Sequence, residues 1–131
     1  MKINWLDRRI AAPGPYLCLC LSEAEYRAAM KDLKQDQIHS WIKTPQADAT
    51  AHHIWTKDGT AVVVCLNGWE GRNPIEVAGL LIHEAVHAWQ EWCDFYGETS
   101  PGREQEAYAI QGISQELMAE FARRLEQPCK R

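Results

Sequence analysis

A chain of 131 residues, 46% hydrophobic and with six tryptophans, has enough apolar surface for one modest core, so residues 1–131 are read as a single domain. The formal charge of -4, with 14 basic residues spread along the chain, excludes the electrostatic footprint expected for nucleic acid or an anionic membrane surface. No run approaches the roughly 18 apolar residues that span a bilayer, and "MKINWLDRRIAAPGPY" lacks an apolar signal core, so a cytoplasmic protein is expected.

The segment "APGP" at 12–15 comes too early to be a domain linker. Residues 17–21 read as a short buried strand. Ser22 with Glu25 three residues on forms a capping box and opens a first helix. The five cysteines are odd in number and show no repeated metal-pair spacing, so free thiols in a reducing compartment are expected. Cys18 and Cys20 point to one face of the strand, which suits two small buried side chains better than a soft-metal pair.

From 35 to 50 the pattern is polar and aperiodic, which predicts a loop with at most a short strand near Ile42. Asp58-Gly59 between β-branched and aromatic residues predicts a β-hairpin over 51–67. Its second arm, "AVVVCL", is apolar at successive positions and calls for cover on both faces. Asn73-Pro74, with Glu76 placed for a capping box, starts a helix that runs to about Tyr96 and stops at Gly97. Ser100-Pro101 opens a last helix, whose Ala107, Ile110, Ile113, Leu117, Phe121 and Leu125 give one apolar face through about Glu126. The order strand, helix, hairpin, helix, helix predicts an α+β domain: a small antiparallel or mixed sheet packed on two C-terminal helices.

Inside the penultimate helix lies "LLIHEAVHAWQ", residues 80–90. His83 and His87 stand four residues apart, so both imidazoles leave one helix face about one turn apart and can share a metal ion. Glu84 is rotated by about 100° from His83, away from the ligand pair but placed to take a proton from a metal-bound water. Leu81, Ile82, Ala85, Val86, Ala88, Trp89 and Trp92 predict a helix buried nearly all round. Two imidazoles and a carboxylate in such surroundings cost several kcal/mol unless satisfied, and zinc satisfies them together. Core histidines bonded to backbone are the plainer alternative.

Two ligands hold zinc weakly, so a third is expected from a neighbouring helix, and "REQEAYAIQ" at 103–111 offers Glu104 and Glu106. Both also suit a helix first turn, where the macrodipole favours carboxylates. They point about 200° apart, so they cannot both face one ion, and periodicity leaves the choice open.

The segment from about 73 to 118 resembles the two helices of gluzincin metallopeptidases, in which HExxH is followed by a ligand glutamate in an E-x-x-A pattern. Here these are His83, Glu84, His87, and Glu104 with Ala107. The combination "HEAVHAWQ…EAYAIQ" is particularly similar to small metallopeptidases encoded by phages and prophages. The resemblance implies a compact zincin-like domain with one zinc on His83, His87 and Glu104, and Glu84 as the general base of peptide hydrolysis. It also implies a peptide or protein substrate laid along the edge of the hairpin 51–67 by strand addition. The chain departs from the larger families in its size and in having Tyr108 where several have Asp or Asn.

Tyr96 or Tyr108 is a candidate oxyanion donor, though both suit the edge of a core. His52 and His53 alternate faces, so one at most can approach the zinc; exposure on the strand is the plainer expectation. Trp69 either lines the cleft or anchors its loop. The rival to a peptidase is a zinc-stabilised binding protein, such as a virion or host-interaction component, with little turnover. An intact Glu84 speaks against that rival, because a closed structural zinc site needs no adjacent base.

Overall fold

The computed structural model describes residues 1–6, 16–57 and 59–126, so "APGP", Asp58 and Cys129 lie outside the described residues. The organising strand is "GTAVVVCL": every residue of β3 (Gly59–Leu66) is buried. It is central in a three-stranded mixed sheet, parallel to β1 (Tyr16–Cys20) on one side and antiparallel to β2 (Ala49–Thr56) on the other. Both ladders of β3 are therefore paired, and its side chains alternate between two apolar layers. Val62, Val64 and Leu66 face the layer of α2 (Pro74–Tyr96) and α3 (Arg103–Glu126). Val63 and Cys65 face α1 (Glu23–Asp32) and the segment that follows it. The expected α+β class and two-sided cover of β3 are both present.

Local signals set the helix ends. Ser22 Oγ accepts from the Glu25 backbone N–H at 3.3 Å, while a Glu25 carboxylate oxygen lies 3.5 Å from the Leu21 N–H and takes up a neighbouring donor. The same Glu25 receives both guanidinium nitrogens of Arg124 at 2.7 and 2.6 Å, tying the end of α3 to the start of α1. At α2, Asn73 Oδ1 accepts from Ile75 N at 2.8 Å, and Gly97 ends the helix at φ 71°. Glu76 closes no capping box; it pairs with Arg72 at 3.1 Å. Helix α3 starts at Arg103, a few residues past Ser100.

Residues 35–48 form the expected loop, without a strand near Ile42, which is buried within this irregular segment tethered to the sheet. Tyr26 Oη donates to the His39 carbonyl at 2.7 Å, and the His52 ring nitrogen Nε2 lies 2.9 Å from the Trp41 carbonyl. One expectation is corrected: α2 is not buried all round, since Ile75 is 80% and Ile82 42% exposed, and His83 and His87 face solvent. Cys18, Cys20, Cys65 and Cys93 are buried free thiols, with Cys18 and Cys20 on one strand face and their sulfurs 3.8 Å apart. No helix among the described residues is long and apolar enough to cross a membrane.

Candidate metal centre

Helix α2 has three different surroundings. Trp89 and Cys93 turn towards α3, where the Trp89 indole N–H donates to Glu106 Oε2 at 2.9 Å. Glu91 turns the other way, towards β2, and accepts from the Trp55 indole. Glu84 stands seven residues before Glu91, two helical turns back, and so shares the flank of β2. Between the two flanks lies the solvent-facing strip of His83 and His87.

The histidine pair converges: the two Nε2 atoms lie 3.2 Å apart, with ring centroids at 4.8 Å. Zinc–imidazole bonds of about 2.0–2.1 Å at the tetrahedral angle separate two ligand nitrogens by about 3.3 Å, so this spacing fits one shared ion. His87 Nδ1 lies 3.0 Å from Gln90 Oε1. A proton on Nδ1 donated to that oxygen leaves the Nε2 lone pair aimed at His83, the tautomer a ligand needs. The cost expected for burying the imidazoles does not arise, because their strip is open to water. It is Glu84 that is buried, at 5% exposure, and burial pushes its carboxyl above the usual range against the lowering pull of His83 and His87.

The third ligand is not gathered with the pair. Among the described residues no group of three or more His, Cys, Asp or Glu side chains is arranged to hold a metal ion. Glu104 is exposed, as are Ala107, Tyr108 and Gln111 on its side of α3, so that side faces solvent rather than the metal helix as expected. Glu106 is half-buried against Trp89. The spacing E-x-x-A is met a second time by Glu106 with Ala109, whose side chain is 4% exposed; this second match is the signal that a reading centred on Ala107 passes over.

The remaining candidates fall apart in space. Tyr96 is nine residues beyond His87, about 13 Å along the helix axis, and packs tilted at 42° against Trp92 with centroids 5.0 Å apart. Tyr108 is 67% exposed on the outer side of α3. Trp69 anchors its loop, donating to the Leu21 carbonyl at 3.3 Å and meeting Phe121 edge-on. His52 and His53 are both half-buried, not exposed. His52 packs on Tyr26 at 4.5 Å, on the face away from α2, and burial holds its pKa below the usual value. His53 pairs with Val62 on the α2-facing side; its Nδ1 is buried without a hydrogen-bond partner, and burial lowers its pKa too.

Two residues with no sequence forecast complete the region. Glu91 and Trp55 line one end of a cavity of about 710 Å³ that follows β2 from Thr50 to Trp55. The 35–43 segment forms the opposite wall, with His39, Ser40 and Lys43. Strand β2 is hydrogen-bonded to β3 along one side, so this cavity runs beside its free edge. Neither His83 nor His87 lines it; Glu91 is where it meets α2. Compared with protein-family models, curated proteins and solved structures, the chain matches none.

Proposed function

We propose that the chain is a zinc-dependent metallopeptidase. The observation that carries this reading is the convergence of His83 and His87 to an Nε2 separation of 3.2 Å, next to a buried carboxylate, Glu84. His83 and His87 hold the metal, with Gln90 fixing the His87 ring. Glu104 is assigned as third ligand on the E-x-x-A likeness alone. When bound, zinc supplies polarisation of the substrate carbonyl and a lowered pKa for the attacking water. Glu84 accepts a proton from that water and delivers it to the leaving amine; burial raises its pKa above the usual carboxylate range, which makes it the stronger base for this transfer. An extended substrate pairs with the free edge of β2, and the cavity beside that edge gives its side chains room.

The test is metal analysis of the purified chain together with cleavage of an unfolded protein. One zinc per chain and cleavage that Glu84→Gln lowers by about 10²–10⁴-fold, with zinc retained, are expected. A chain that takes up no zinc on titration refutes the reading. Zinc binding without cleavage of any member of a broad peptide library replaces it with the zinc-stabilised binding protein.

A further inference from the structure

Trp55 is 56% exposed, yet its ring has two fixed neighbours. The indole N–H is bonded to Glu91 Oε1, and the ring meets Phe95 edge-on, with centroids 5.1 Å apart at 85°. A large aromatic face held open to water by two contacts is ready for a ligand, since little of its freedom remains to be lost on binding. The group beside it is equally informative. Glu91 accepts the indole through one carboxylate oxygen, and among the described residues the other accepts no hydrogen bond. An exposed indole face with a carboxylate at its rim is the chemistry that recognises a flat cation: a guanidinium stacks on the ring while its N–H groups reach the carboxylate.

We propose that Trp55 and Glu91 form a subsite for an arginine side chain of an extended peptide bound along the edge of β2. The proposal rests on the peptidase reading for its substrate class and on the cavity for its place. Trp55 and His53 face α2 from the same side of β2. A peptide residue paired opposite Trp55 turns its side chain the same way, onto the indole. Glu91 is four residues past His87, about 6 Å along the axis, so the arginine lies close to the bond placed over the histidine pair. A lysine carries the charge but not the plane, and is the weaker ligand.

The test uses the full chain carrying Glu84→Gln, so that peptides are bound and not consumed. Fluorescein-labelled octapeptides that differ at one central position, Arg, Lys, Leu or Glu, are titrated by anisotropy, with that position moved through the central four. The Arg peptide in the best register is expected to bind at least about fivefold more tightly than its Leu counterpart, with Lys between them. Adding Glu91→Gln keeps an acceptor for the indole, and is expected to abolish the advantage of the Arg peptide over its Leu counterpart. Adding Trp55→Leu is expected to weaken the Arg peptide about tenfold. Equal or tighter binding of Leu peptides, or an Arg preference that survives Glu91→Gln, overturns the subsite. Binding of no peptide overturns it together with the groove. An Arg preference in a chain that takes up no zinc supports the subsite and overturns the peptidase.

Discussion

Glu106→Ala and Glu104→Ala separate a structural carboxylate from a proposed ligand, because the two residues have different neighbours in the metal-free chain. Trp89 is 1% exposed, so its indole N–H cannot turn to water, and its partner is Glu106 Oε2 at 2.9 Å. Removing that acceptor leaves a buried donor unpaired. Hydrogen bonds to a charged group are worth about 1.5–3 kcal/mol, so a loss of roughly 2 kcal/mol is expected for Glu106→Ala. For a chain of 131 residues this lowers the melting temperature by roughly 6–10 °C. Glu106→Gln retains an acceptor oxygen and restores most of it. Glu104 is exposed, so Glu104→Ala changes metal-free stability by less than about 0.5 kcal/mol. Urea denaturation in EDTA reads the stabilities, and zinc titration of the same variants reads affinity, where Glu104→Ala is expected to cost at least about tenfold. A Glu106→Ala chain of native stability that has lost its zinc refutes this division and makes Glu106 the ligand.

The histidine pair gives the complementary pattern: His83→Ala and His87→Ala leave metal-free stability within about 0.5 kcal/mol, since both are exposed, but abolish retention of one zinc per chain through gel filtration. Burial depresses the His52 pKa below the ordinary 6.5, so the unfolded chain binds the proton more readily and stability, full above that pH, falls as the pH drops through the window beneath it. Urea midpoints of His52→Gln are expected to depend less on pH there than those of the parent; identical pH profiles refute the assignment. Glu25 and Arg124 form a two-pronged contact at 2.7 and 2.6 Å between side chains 16% and 23% exposed, so a double-mutant cycle should return a coupling of about 1 kcal/mol. A coupling indistinguishable from zero shows that α1 and α3 are joined by packing alone.

Much of the framework is legible because its causes are local. Ser22 with Glu25, Asn73-Pro74 and Gly97 act on neighbouring backbone groups, so the ends of α1 and α2 follow from a few consecutive residues. The continuous apolar run of β3 carries its own message, since only a strand covered on both faces suits it. The direction in which α2 turns its histidines is less legible. Ile75 and Ile82 extend the apolar pattern round the helix but are exposed, and hydrophobicity does not tell an apolar residue on the surface from one in the core. The 35–48 segment is set by distant partners, Tyr26, Thr50 and His52, and no short-range pattern encodes those contacts.

The same distinction governs the candidate site. His83, Glu84 and His87 need only one helix to come into relation, and four-residue spacing brings the two imidazoles together whatever α2 packs against. A third ligand on α3 depends on how α3 is rotated against α2, which the E-x-x-A spacing does not determine, being satisfied by Glu104 with Ala107 and by Glu106 with Ala109 alike. Trp89 supplies the missing phase. A tryptophan buried in a helix–helix interface needs an acceptor for its N–H, and the first turns of α3 offer Glu106 there, flanked on the same face by Ile110 and Ile113. Once Glu106 meets Trp89, helix geometry turns Glu104 about 160° away, onto the exposed side. One buried indole therefore decides which carboxylate is committed to the fold and which is left exposed, and the paired stability and zinc titrations of the two alanine variants test whether the exposed one is the proposed ligand.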